Sequence, residues 1–244
     1  MKKKYALCSI VTTLLLGACT GMNKADKNIN RTIDKAVAIQ ADGERSAHPA
    51  VQDYYTRTFL VSDREAEKGF YEMRTWTDAY SILIPAEATL DETYYMKRGQ
   101  SWEQFLFSWI DEETNISYGV QGQFEDGSSE ESGLRRLTRY MNFKDEYEKS
   151  EDDHHIYYYG KLITEVGGKD GKEKVPVYSY LGSIKDKGSS KTLSLIYEHN
   201  CSDWTNTCEA DTKEIEEHFW RLVKTVKFDD WFCYGKGNGV REKF

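Results

Sequence analysis

Beyond its N-terminus, the chain has no apolar run approaching the roughly eighteen residues needed to cross a membrane as a helix. It also lacks GxSxG, SxxK, HExxH, Walker A and GxGxxG stretches, so it carries no sequence signature of a serine hydrolase, a zinc hydrolase or a nucleotide-binding fold. Basic charge is in short supply: 33 Lys and Arg face 41 Asp and Glu, for a net charge of −8. An acidic protein is a poor match for nucleic acid, whose binding rests on phosphate neutralisation. No cofactor and no metal are implied by these patterns. Cysteine is sparse as well, with five in 244 residues.

What is present is most specific at the start. Lys2, Lys3 and Lys4 form a positive n-region, and Tyr5 to Leu16 is an apolar stretch. Twelve residues of helix span ~18 Å against the ~30 Å of a hydrocarbon core, so the stretch suits a signal better than a permanent span. Leu16-Gly17-Ala18-Cys19 follows. Together these residues resemble a bacterial lipoprotein precursor with its lipobox. The resemblance implies cleavage before Cys19 and a thioether-linked diacylglycerol on its sulfur, with a further amide-linked acyl chain. At ~0.8 kcal/mol per buried methylene, two or more chains anchor stably where one is marginal. Thr20 lacks the aspartate of inner-membrane retention, which in a cell with two membranes points to the outer one. The protein is therefore expected at the extracytoplasmic face of a cell or outer membrane, held through Cys19.

The remaining organisation follows from composition. Residues 1–18 read as the signal peptide and 19–50 as the lipidated N-terminus and a polar tether without aromatic residues. Residues 51–230 read as one folded domain and 231–244 as a tail, whose Gly235, Gly237 and Gly239 precede no helix and so form no phosphate cradle. Cys201 and Cys208 flank a polar, turn-rich stretch, and in an oxidising compartment a disulfide closing that loop is expected. A zinc site is the competing reading, but C-x6-C without a second ligand pair is weak spacing. Cys233 is left as an odd thiol.

Within the domain, short strands dominate. Ile116, Tyr118, Val120 and Phe124 alternate with Ser117, Gln121 and Gln123, as in a half-exposed antiparallel strand. Trp102 to Ile110, apolar on both faces, is expected at the centre of a sheet. Tyr54–Val61, Tyr80–Ile84, Thr93–Lys97, Ile156–Val166, Val175–Ile184 and Thr192–Glu198 complete the set, with hairpin loops at Gly167–Gly171 and Lys187–Ser189. Asp211 and Glu214 form a capping-box signature, and Ile215, Phe219, Leu222 and Val223 share one face of a helix ending about Lys224. A second helix starts near Ser128 and runs through Leu134, Leu137 and Met141. The fold class is α+β: an antiparallel β-sheet with about two packed helices.

This order, from Tyr80–Pro85 through the run of strands to Leu193–Glu198, a helix and a closing Val223–Phe228, resembles the PsbP/Mog1-like αβα sandwich and its bacterial lipoprotein members. The resemblance covers roughly residues 70–229. It implies a protein that binds or assists others, and it brings no catalytic residues with it.

Candidate sites are few. Asp152-Asp153-His154-His155 suggests a metal, but adjacent histidines on a strand point to opposite faces, and an acidic loop entering a strand is the better reading. His218 lies four residues after Glu214, within reach of it, and reads as a structural histidine tied to that carboxylate. Aromatics make up 14% of the chain although its mean hydropathy is −0.71, so rings must supply much of the core. Trp204, in the expected disulfide loop, and Trp231, past the domain end, are candidate exposed rings for stacking on sugars or gripping a protein. The expected function is that of a membrane-anchored, non-enzymatic binding or envelope-assembly module with an envelope protein or glycan partner. The alternative is an envelope hydrolase acting on cell-wall polymer or another exported substrate.

Overall fold

Strand alternation builds most of the molecule. A computed structural model describes residues 46–167, 174–203, 208 and 211–229. Its strands are β1 Phe70–Arg74, β2 Tyr80–Pro85, β3 Thr89–Leu90, β4 Met96–Arg98, β5 Trp102–Asp111, β6 Ile116–Asp126, β7 Glu148–Glu151, β8 His155–Gly167, β9 Lys174–Asp186, β10 Lys191–Cys201 and β11 Lys227–Phe228. Among the described residues four helices accompany them: α1 Pro49–Gln52, α2 Tyr54–Arg57, α3 Glu130–Met141 and α4 Thr212–Lys224.

The large sheet is antiparallel throughout, in the order β3-β5-β6-β10-β9-β8-β7, with β4 following β3 along the outer edge of β5. A smaller sheet, β1-β2-β11, is also antiparallel. On β9, Tyr180, Gly182 and Ile184 face one way and Leu181 and Ser183 the other, and each set meets a different helix. Phe219 and Val223 of α4 lie over Gly182, while Gly133 of α3 lies over Ser183. The large sheet thus runs between two helical layers, with the small sheet beside α4: Phe70 of β1 touches the His218 ring, and Tyr80 of β2 meets Phe124 at 5.1 Å. The α+β reading and the αβα layering hold.

The helix α4 begins where its cap predicts, and α3 begins close to the expected Ser128 but is capped by Ser129. The Asp211 carboxylate accepts from the N–H groups of Lys213 and Glu214, and Ser129 accepts from Ser132. Ile215, Phe219, Leu222 and Val223 of α4 are all buried. Most expected strands are present, with three corrections. Tyr54–Val61 is not a strand; the Asp53 carboxylate accepts from the Thr56 N–H at 2.7 Å and starts the helical turn α2, and only Leu60 bridges to Met73. Of Thr93–Lys97, only Met96 and Lys97 enter a strand, because Asp91 folds Thr93 and Tyr94 into a turn by accepting both their N–H groups. β5 is not central and not buried on both faces: Phe105, Phe107 and Trp109 point inward, whereas Ile110 is 55% exposed. β3 and β4 pair along its outer edge, and on its other face Ser108 and Ile110 are exposed. The strands β1 and β7 come from stretches whose pattern announces no strand.

Candidate functional site

On the α3 side, the face of the large sheet near β5 carries amides rather than hydrocarbon. Gln104 on β5 stands opposite Gln123 on β6, and Gln123 stands opposite Ser194 on β10. In a neighbouring row Gln121 stands opposite Ile196. The helix α3 crosses one side of this face, brought close by Gly133, where a Cβ would sit 3.3 Å from the Ser183 hydroxyl. Its Leu137 packs with Leu181 and Ile196. The helix stops short of β5, and the gap between it and the sheet is a groove of about 310 Å³.

The groove has an amide floor, two tyrosines at its mouth and one cation. Tyr94 and Tyr140 form the mouth with Arg136 nearby; Tyr94 is half-buried and Tyr140 is 66% exposed. Burial and, to a lesser degree, the neighbouring Tyr140 raise the Tyr94 hydroxyl's pKa. The Arg136 guanidinium is held at 2.5 Å by Glu125, which also accepts from the Gln123 amide at 2.9 Å. The cation is therefore neutralised within the wall and braces Gln123. At the inner end the Ser194 hydroxyl is buried with no protein partner. These groups can donate and accept hydrogen bonds and offer ring faces. They include no nucleophile with an adjacent base and no pair of facing carboxylates.

A second polar cluster is sealed in the core. Glu103 on β5 is wholly buried, accepts from the Trp76 N–H at 3.2 Å, and accepts from the Thr77 hydroxyl. Burial pushes its carboxyl up from 4.5 to about 7, against the hydrogen bonds from Thr77, Thr75 and Trp76. The Tyr95 hydroxyl accepts from the same Trp76 N–H. With no opening to solvent, this cluster fastens the β1–β2 turn to the large sheet. His199 is another sealed group, stacked on Tyr178 at 4.8 Å; burial, then Lys161, lower its pKa to about 4 and keep it neutral.

The residues singled out from sequence fall elsewhere. Cys201 and Cys208 are joined in a disulfide, as expected. His218 is partly buried, with its ring edge on Phe70 at 5.7 Å and on Trp109 at 6.5 Å. Its pKa is lowered by burial and then by Arg221; Glu214 acts on it only through space, opposing that shift. The tie to Glu214 is thus replaced by aromatic packing. His154 sits in the turn before β8 and His155 opens that strand; Asp152 accepts both their N–H groups at 2.8 Å and the Tyr157 hydroxyl at 2.5 Å. Among the described residues, no three His, Cys, Asp or Glu side chains are gathered as metal ligands. Cys19 with the signal and most of the tether, the loop glycines 168 and 171, Trp204, Trp231, Cys233 and the tail lie outside the described residues.

The groove was only half legible. The alternation of β6 turns Gln121 and Gln123 away from the core, but the sequence does not say that the helix starting at Glu130 will wall them in. Glu103 carries no signal of its own in the sequence, because the inward positions that follow it on the same strand are Phe105, Phe107 and Trp109.

Comparison with known proteins finds a matching family model, a full-length relative and solved structures of similar chains. Residues 46–227 match the family model YvcA_Mog1p, described as "Putative lipoprotein YvcA". The protein of that name from Bacillus subtilis (strain 168) is 24% identical over 237 residues, covering 93% of this chain and 97% of its own. The Saccharomyces cerevisiae Ran-binding protein Mog1p, known from a 1.9 Å crystal structure, is 11% identical. That match covers 65% of this chain and 95% of Mog1p with a TM-score of 0.43. A mutant of protein Mog1 matches the same shares at 9% identity with a TM-score of 0.38.

Proposed function

We infer a role from one premise: the chain belongs to the YvcA_Mog1p family of lipoproteins. Cys19 is the acylated residue, and the polar segment behind it holds the folded domain off the extracytoplasmic surface of a membrane. There the domain acts as a non-enzymatic binding module whose ligand seats in the groove between α3 and the large sheet.

The observation that carries this reading is the chemistry of the groove wall. Its one charged side chain, Arg136, is already paired with Glu125, and its other polar groups are amides, hydroxyls and phenols. General acid–base catalysis needs a titratable group held near working pH within reach of the reacting atom, and nucleophilic catalysis needs an activated nucleophile. Side-chain amides and tyrosines supply orientation and hydrogen bonding instead.

The test has two arms. Native protein and a Cys19→Ala form are expressed in the same bacterium and fractionated. The native form is expected in membranes and the variant in the soluble fraction; equal membrane retention of both would remove Cys19 as the anchor. Membrane-extracted native protein is then incubated with peptidoglycan and with a generic ester. Turnover of either substrate that persists through purification would favour the hydrolase reading over the binding one.

A further inference from the structure

We propose that the groove is a saccharide site that selects sugars bearing an acetamido group, an inference that rests on the binding role above. Its volume of about 310 Å³ lies at the lower end of the ~300–1,000 Å³ of ordinary ligand pockets and suits a short run of sugar rings rather than a bulky cofactor.

Four features of the wall point to this chemistry. Gln104 and Gln121 each offer a carbonyl acceptor and an NH2 donor from one face, and Gln123 adds its carbonyl and the one amide N–H not given to Glu125, which together match hydroxyls that both donate and accept. Tyr94 and Tyr140 present rings at the mouth, where the apolar face of a pyranose can lie flat. The Arg136–Glu125 pair leaves no net charge, and the protein as a whole is acidic, so phosphate and carboxylate ligands gain little. At the inner end, Leu137 and Ile196 stand beside the unpartnered Ser194 hydroxyl. An acetamido group has the complementary make-up: a methyl for the two aliphatic side chains, and an N–H and C=O for the serine and the nearest amides.

An extended peptide fits less well. Peptides that add to a sheet need an open strand edge. Here Gln104 is paired with both Met96 and Gln123, and Gln123 with both Gln104 and Ser194, so the strands flooring the groove have no free backbone edge. Recognition must pass through side chains, as it does for sugars.

The test is calorimetric titration of full-length protein in detergent with tetra-N-acetylchitotetraose. Cellotetraose, which has a hydroxyl in place of each acetamido group, serves as the comparison. The acetylated sugar is expected to bind at least about tenfold more tightly than cellotetraose, and Tyr140→Ala to weaken it by about tenfold. Tyr140 is mostly exposed, so its removal leaves the fold intact, and the equally exposed Tyr54 on α2 provides a control whose change to alanine leaves binding unaltered. Equal binding of the two sugars, or indifference to Tyr140→Ala, overturns the proposal. If a neutral peptide binds in a Tyr140-dependent way and neither sugar does, the saccharide inference fails and the binding role stands. If neither sugar nor peptide binds, both fail.

Discussion

The Trp76 backbone N–H, at the tip of the β1–β2 hairpin, donates to the Glu103 carboxylate on β5 at 3.2 Å inside a core that excludes water from Glu103 altogether. The Trp76 ring meanwhile stacks on Phe59 at 4.7 Å and the Lys97 ammonium donates to the Trp76 carbonyl at 3.2 Å, so the hairpin tip is held by charged groups and by aromatic packing together. A carboxyl raised to about 7 in the folded state binds its proton more tightly there than in the unfolded chain, where its value is 4.5. Its contribution is therefore fully present below about pH 4.5 and is lost as pH rises through about 7. At 1.36 kcal/mol per unit, the loss is about 3 kcal/mol. Urea unfolding of the wild type is expected to show this decline between pH 5 and pH 8. Glu103→Gln, which keeps the acceptor for Trp76, is expected to flatten it; a variant with the same pH profile as the wild type would contradict this account.

A glycine on β6 is required by an aromatic ring. The Phe105 side chain lies across its cross-strand partner Gly122, where an added Cβ would fall 2.1 Å from the ring's Cζ. Phe105 is fully buried and stacked with Phe107 at 5.8 Å, so it has no room to retreat. Gly122→Ala is expected to cost ~1–3 kcal/mol by overpacking and to lower Tm. Gly119, on the same strand, has nothing within 4 Å of its Cβ position, and Gly119→Ala is expected to be neutral or mildly stabilising. Equal thermal shifts for the two would show that backbone entropy, not the ring, decides.

The contrast between these glycines marks where sequence reading stops. Local signals were legible: the alternation of Ile116, Tyr118, Val120 and Phe124, and the Asp211 cap of α4, need only neighbours a few residues away. Signals set by distant chain were not. Glu103 sits at an inward position of an alternating strand, and its partners Trp76 and Thr77 lie more than twenty residues earlier. Tyr54–Val61 has strand composition, yet the single carboxylate of Asp53 turns its start into a helix. The groove depends on where α3 comes to rest over Gln121 and Gln123, which no local pattern encodes.

The resting place of α3 is polar beneath as well. The hydroxyls of Ser183, Thr192 and Ser194 are buried without partners on the sheet face that α3 covers. A buried unsatisfied hydroxyl costs ~1–3 kcal/mol, whereas its replacement by an apolar group of the same shape is nearly neutral or stabilising. Thr192→Val keeps the methyl that meets Gly133 and removes the hydroxyl. It is expected to stabilise the protein by ~1 kcal/mol in urea unfolding, without disturbing the groove, which Thr192 does not line. Destabilisation of similar size would mean that the hydroxyl has a bonded water as its partner.

The Cys201–Cys208 bridge joins the end of β10 to the approach to α4. In the chain-entropy description, a loop of this length contributes ~2–3 kcal/mol. The bridge does not hold the loop alone: Asn115 accepts from the Asp203 N–H and donates to the Asp203 carbonyl, both at 2.9 Å. Asp211 independently caps α4. Removing the disulfide by Cys201→Ser with Cys208→Ser is thus expected to lower Tm while leaving a folded sheet. Hydrogen exchange should quicken first at the opening turn of α4, around Glu214 and Ile215, and least at Leu181 and Ser183 in the middle of β9. Uniform acceleration across both would show that the bridge stabilises the whole domain through the unfolded state alone, because a constraint acting only there favours no element of the native structure over another.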